Sequence, residues 1–455
     1  MLTDKKPRLG NLLAASLWLA SLSQATAVPV PPLPAASAAD VNGRAYDLVV
    51  IGGTPGGIAC AVRAAREGLT VLLVQHNSHI GGMLSNGLMQ WDALYAGHRA
   101  PLFNEVARLI ESHYRETYGA SSPQFTQAQF TQAHYPLSRF EPSVAELLFN
   151  RLVSAETNIT VLLCHYPAAA AREGATLTAL TLRAYATTND IAVRGAVFAD
   201  ATYEGDLAAR AGVPYRVGRE ARSEFGEPHA GKIFTNLGAG SGPQDAVSGK
   251  LNLHPYHHRQ GSVDTNSPFT ADGAIQAYNT RFCLTNEEKN RRLPEKPARY
   301  SRDEYVSYNR KTMGAGAING KGSFNSAILP GENHAYPEAD WPAREAIIRR
   351  HRDFALGLMF FLQNDESLPA AKRAEYRRIG LPLDEYPDNG NIPYEPYVRE
   401  ARRIVGRAVF KEQDVCLAPG TGRTPVCADS VAITDWPMDS HDCTTDRRPG
   451  LAFDG

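Results

Sequence analysis

The chain has 455 residues, 43% of them hydrophobic, and a formal charge of −1 from 47 Lys+Arg and 48 Asp+Glu. That length holds two or more domains at roughly 100–200 residues each, and the apolar content excludes a mainly disordered chain. The balanced charge argues against a nucleic-acid partner, which calls for a basic surplus. In chain order, Lys5, Lys6 and Arg8 precede an apolar run over 12–22, and Ala25-Thr26-Ala27 follows as a small-residue cleavage site. A basic start, a short apolar run and a small-residue site make a secretory signal peptide over 1–27. The chain is therefore expected to be exported, to the periplasm or outside the cell. The run falls short of the roughly 20 apolar residues of a membrane span, so no stable membrane insertion is expected. An uncleaved anchor is the alternative. Residues 28–45 are Pro/Ala-rich and read as an extended linker.

A buried strand is predicted over 46–51, Tyr-Asp-Leu-Val-Val-Ile. Gly52-Gly53-Thr54-Pro55-Gly56-Gly57 follows at once. Ile58, Ala61, Val62 and Ala65 then recur with helical spacing, and the helix stops at Gly68. A second buried strand over 69–74 ends at Gln75. Strand, glycine turn, helix and strand within about 30 residues form a dinucleotide-binding unit. Gly52 permits the tight turn, Gly57 lets the helix pack close to the sheet, and the helix N-terminus faces a pyrophosphate. Thr54 replaces the second glycine of the usual fingerprint; its hydroxyl is placed to donate to the phosphate. Gln75 replaces the usual acidic residue and is placed to accept from a ribose hydroxyl. Gly81-Gly82-Met83 begins a second glycine-rich loop.

With these two loops the chain resembles the FAD-dependent oxidoreductases that have a glutathione-reductase type of FAD domain. More narrowly it is similar to an exported bacterial branch. Some members of that branch are labelled xanthan lyase, others are named after the flavin subunit of heterodisulfide reductase. The resemblance implies an α/β fold: a Rossmann-like FAD/NAD(P)-binding domain with an inserted substrate-side lobe. It implies FAD as cofactor, against Gly52, Gly53, Thr54, Pro55, Gly56, Gly57, Gln75, Gly81, Gly82 and Met83. It also implies a second signature, a buried strand ending in Asp200-Ala201-Thr202 beside the cofactor.

Between the two signatures, amphipathic helices are predicted over 101–118 and 142–156. A strand is predicted over 159–163, and an antiparallel meander over 180–193 that turns at 187–190. The segment 212–231 continues the resemblance. Arg219, Arg222 and His229 there belong either to a solvated loop or to the substrate cavity. His254, His257 and His258 read as surface, with a metal site as the alternative. Asp340 starts a helix with Pro342 in its first turn. Arg399, Arg402 and Arg403 form either a solvated helix face or a clamp on an anion. His441 lies between carboxylates and, with His229, is a candidate general base. Cys416 and Cys427 bracket a turn-rich loop and are either two thiols or a disulfide, the latter contributing roughly 3 kcal/mol.

Domains are therefore expected at 46–235 (FAD-binding, with the meander) and 236–455 (substrate-side lobe). The family's late strand, turn and helix that close over the flavin find no match after Gly406, so the fold is expected to be C-terminally incomplete. The reaction expected from the resemblance is hydride or electron transfer through FAD, on a saccharide or other small molecule. Two alternatives stand beside it. One is a non-catalytic or inactive FAD-binding fragment. The other is an electron-transfer subunit of heterodisulfide-reductase type with a 4Fe-4S cluster, against which the six scattered cysteines speak. A polysaccharide lyase needs no nucleotide site, so the 46–82 unit argues against one.

Overall fold

The computed structural model describes residues 30–91, 99–130, 138–187, 189–236, 262–264, 266–309, 311–415, 420, 424–432, 441–446 and 453–454. The expected signal peptide, the histidines at 254, 257 and 258, and Cys416 with its pairing to Cys427 lie outside these residues. Cys427 is exposed, and its thiol donates to Asp429 Oδ1 (3.2 Å). No helix among the described residues is long and apolar enough to cross a membrane.

Six strands form the main sheet: β1 Ala45–Ile51, β2 Val71–Val74, β3 Ile159–Leu162, β4 His165–Glu173, β5 Thr176–Ala184 and β6 Asp190–Asp200. Their order is β3-β2-β1-β6-β5-β4. β1 pairs parallel with β2 and with β6, and β2 pairs parallel with β3. β6 does two jobs along one strand. Its first part pairs antiparallel with β5, Leu180 against Val193, and its last part pairs parallel with β1, Ile51 against Asp200. The expected meander thus runs straight into the parallel core.

Successive residues of a strand face opposite sides, and both sides of this sheet are covered. Val50 and Leu73 meet Ile58, Val62, Ile110 and Leu148 from the helices Pro55–Arg66, Pro101–Tyr118 and Pro142–Ser154. Val49 and Leu72 meet Leu180, Leu182, Val193 and Leu207 on the other side. A separate core forms around the helix Trp341–Asn364, where Phe354, Leu358 and Phe361 pack on Phe282, Leu284 and Phe324. The side chain of Asp340 caps that helix by accepting from Ala343 N (3.0 Å), the start expected from the sequence.

Two stretches differ from the sequence reading. Residues 30–45 are no free linker. Leu33 and Val41 are buried, Ala36 N donates to Val161 O (2.8 Å), and Gly43 N donates to Ala192 O (2.7 Å). Two apolar anchors suffice to dock the segment, while its Pro/Ala composition hides them. Near the other end, Phe453–Asp454 pairs with Phe234–Asn236. Asp454 is fully buried and receives Arg219 (2.5 Å) and Thr444 Oγ1 (2.6 Å).

Candidate cofactor site

β1 ends against a turn that glycine alone fits. At Gly52 φ is +105°, and a Cβ would lie 2.6 Å from the main-chain carbonyl of Ala201. At Gly57 a Cβ would lie 1.9 Å from Gly52 O, so the helix can sit this low only without a side chain. Ala201 N donates to Ile51 O (2.7 Å), which lays Asp200-Ala201-Thr202 along the turn. Asp200 accepts from Thr202 N, Thr202 Oγ1 and Ala208 N, fixing that strand end to the next helix. The second loop docks on the first through Gly81 N to Gly53 O (2.7 Å), and Met83 N donates to Tyr203 Oη (2.9 Å). The two glycine loops and the strand end at 200–202 are therefore one constellation.

Thr54 departs from its expected role. Its Oγ1 accepts from Gly57 N (3.2 Å) and donates to Ala201 O (2.8 Å), so the hydroxyl caps the helix and its proton is committed inward. Such caps contribute about 1 kcal/mol. Gly56 stands on the open side of the turn. It is exposed, and a Cβ there would meet nothing nearer than Thr54 Oγ1 at 3.9 Å. Pro55 has no N–H to offer, so Gly56 N–H and the positive end of the helix dipole are the groups available to an anion there.

Gln75 departs further. It is 3% exposed; Oε1 accepts from Gly53 N (2.8 Å) and Nε2 donates to Glu395 (2.7 Å). Glu395 also accepts from Asn77 (2.8 Å), while Asn86 Oδ1 receives the main-chain N–H groups of Tyr394 and Glu395. His76 stacks on Trp341 at 4.2 Å, and burial pushes its pKa down to about 3, so it is neutral near pH 7. His79 stacks on Tyr394 at 3.4 Å and bridges Glu146 (2.6 Å) and Asp388 (3.0 Å). Burial works against its charge, but these two carboxylates outweigh burial and raise its pKa. Sequence reasoning missed Glu395, Trp341 and both histidines. Apart from Glu146, 67 positions from His79, their partners lie about 265 to 320 positions away along the chain, beyond any local spacing.

Burial pushes the Glu395 carboxyl up to about 7, and the Gln75 and Asn77 donors offset this only in part. The ordinary value is 4.5, so the folded chain binds the extra proton between about pH 4.5 and 7. Its contribution to stability is complete below that window and is lost as pH rises through it. Glu395→Gln removes the loss. Relative to the parent, the variant should gain on the order of 1–3 kcal/mol between pH 5 and pH 8. Thermal melts at the two pH values check this; an unchanged gap between the proteins contradicts it.

Two of the three arginines expected to clamp an anion hold this chain's own carboxylates. Arg402 pairs with Asp206 (2.8 Å) and Glu338 (3.1 Å), and Arg403 with Glu220 (2.9 Å). Arg399 donates to Ala277 O (2.9 Å). The segment around them is irregular and ends in the strand Arg403–Ile404, which pairs with Tyr215–Arg216. Asp206 is gripped further by Arg344, itself buried, at 2.6 and 2.8 Å. Arg219 pairs with Asp272 and Asp454, and the Arg222 guanidinium lies over the Phe269 ring. His229 is bound by Glu412 through its ring and its main-chain N–H. His441 donates its main-chain N–H to Gln276 Oε1 (3.1 Å).

The family model described as FAD dependent oxidoreductase matches residues 47–453. The chain belongs to the FAD dependent oxidoreductase family. It is 48% identical over 65 residues to dihydrolipoyl dehydrogenase 3 of Pseudomonas putida, a match covering 14% of each protein. The myxobacterial chondrochloren halogenase, described as a variant of FAD-dependent halogenases, aligns at 16% identity and TM-score 0.28 over 43% of this chain and 41% of that one. The glycerol-3-phosphate dehydrogenase of Bacillus halodurans, solved with FAD, aligns at 13% and 0.26 over 41% and 42%. The family implies FAD. The turn at 52–57 fits a pyrophosphate. The space past the ends of β1 and β2 does not fit the rest of FAD as packed, because buried Gln75, Glu395 and Asn86 hold one another there and Trp341 stacks on His76 beside them. A cavity of about 100 Å³ opens beside Glu395, against roughly 300–1,000 Å³ for ligand sites in general.

Proposed function

We propose that this family member is a flavin-dependent oxidoreductase that seats the pyrophosphate of FAD on the turn at 52–57. The observation that carries the reading is the close fit of Gly52, Gly57 and Ala201, which leaves Gly56 open at a helix N-terminus. Bound flavin supplies hydride or electron transfer. This chain's part is to hold the pyrophosphate, to keep the helix low on the sheet through Gly57, and to admit the remainder of the cofactor. Admission requires the 393–397 segment to leave Gln75 and Asn86. The substrate proposed is a saccharide or other small molecule, met after export.

The reading is tested by incubating the purified chain with FAD, removing free cofactor, and adding dithionite under argon. Retained yellow absorbance that bleaches, and returns on adding an artificial electron acceptor, supports it. The filled crevice favours a second reading, a non-catalytic member of the family. A chain that retains no FAD after mild acid or urea-assisted reconstitution selects that second reading.

A further inference from the structure

The lobe carries a cavity of about 210 Å³ lined by Pro297, Arg299, Tyr300, Tyr305, Arg349 and Arg350, with Ala346 and Asp353 beside them. It belongs to a different face of the helix Trp341–Asn364 from the crevice. Residues 341, 344, 345 and 348 of that helix meet the crevice side, where Trp341 stacks on His76, Arg344 holds Asp206 and Tyr185 Oη donates to Glu345. Residues 346, 349, 350 and 353 form another stripe, about 140° round the helix.

The wall of this cavity is held rigidly. Tyr300 stacks on Tyr305 (5.1 Å, 16°), and Tyr305 on Phe354 (5.3 Å). Tyr300 also meets the Phe360 edge (5.3 Å). Arg350 is neutralised and fixed by Glu304 (2.9 Å) and Glu332 (2.8 Å). Asp353 has Arg352 at 4.0 Å. Arg299 and Arg349 differ. Both line the cavity, they come from separate elements, and among the described residues neither has a carboxylate within 4.0 Å. Two uncommitted guanidiniums beside a fixed phenol ring leave the cavity with positive charge to spare.

We propose that this cavity is a binding site for a small oxyanion carried on a sugar-sized ring. Arg299 and Arg349 take the carboxylate or phosphate, and the ring packs against the rim of Tyr300, whose ring is already covered by Tyr305 and by the Lys296 ammonium (5.1 Å). Guanidinium groups recognise both anions through paired N–H donors. A cavity of about 210 Å³ is the size of one such ring.

Isothermal titration of the full chain with glucuronate, glucose 6-phosphate, inorganic phosphate and methyl glucoside tests this. Binding of glucuronate or glucose 6-phosphate is expected, with the stronger of the two naming the anion, and no binding of methyl glucoside. Arg299→Ala combined with Arg349→Ala should weaken the bound anion at least tenfold. Both side chains are exposed, so the fold should be kept, as circular dichroism would verify. Tyr300→Leu should weaken the ring-bearing anion several-fold and leave inorganic phosphate unchanged. No binding of either ring-bearing anion, or equal binding by parent and double variant, overturns the proposal. Equal binding of methyl glucoside overturns it too.

Discussion

Gly57→Ala should abolish FAD retention and lower the stability of the nucleotide-binding half. The added Cβ falls 1.9 Å from Gly52 O and 3.0 Å from Ala201 Cβ. The first contact is with main chain, which cannot swing aside as a side chain does. Overpacking a tight site costs about 1–3 kcal/mol, and a clash with backbone lies at the upper end or beyond. Relief requires the helix Pro55–Arg66 to rise from the sheet. That separates Gly56 N–H from the strand ends, and affinity for FAD should fall at least tenfold. Gly56→Ala is the matching control. Its Cβ enters open space, and alanine favours helix over glycine by up to about 1 kcal/mol, so the fold should be kept. The methyl group nevertheless stands at the proposed pyrophosphate seat, and FAD affinity should fall. Thermal melts and retained flavin absorbance on both variants check the pair. A Gly57→Ala protein that melts with the parent and holds FAD contradicts the close packing.

Lys321→Met should be among the most destabilising single changes in the lobe. Lys321 is fully buried and lies 2.7 Å from Glu141, 2.9 Å from Asp384 and 2.6 Å from Glu385. Glu385 also accepts from Ser143 N and Oγ (2.9 Å each), so this cluster ties the helix Pro142–Ser154 to the segments at 321 and 384–385. Removing one partner of a buried ionic cluster leaves the others uncompensated and costs about 3–5 kcal/mol. In a unit of this size that is a fall of about 10 °C in melting temperature. Burial pushes the Glu385 carboxyl up to about 7 even with Lys321 attached. Its ordinary value is 4.5, so the folded state binds the extra proton between these values, and its contribution is lost as pH rises through 7. Without the lysine that value climbs further, and the deficit of the variant should be larger at pH 8 than at pH 5. Melts at both pH values check the claim; a drop of under 2 °C at pH 8 contradicts it.

The parts of the molecule that sequence patterns convey are local. β1, the glycine turn, the helix and β2 were legible because each stands in its own run of residues with its own period. The meander was legible from alternation, and the helix at Trp341 from its Asp340 cap. The packing of Asp200-Ala201-Thr202 against the turn followed from the family's second signature. What stayed hidden was pairing across distance. Thr54 was expected to face the phosphate, and no local pattern reveals that Ala201 O takes its proton. Gln75 was expected to face a ribose, and Glu395, 320 positions on, holds its amide. The three arginines at 399–403 show a charge pattern compatible with a clamp, yet Asp206 and Glu220 neutralise two of them. The 30–45 segment reads as a spacer because two anchors in sixteen residues make no period.

The pyrophosphate of FAD is proposed to sit on the turn at 52–57. Fluorescence titration of the purified full chain with FAD, with Gly56→Ala in parallel, tests it most directly. Saturable quenching of flavin fluorescence at one FAD per chain is expected, weakened at least tenfold in Gly56→Ala. Saturable binding unchanged in Gly56→Ala would contradict it, and so would the absence of any saturable quenching.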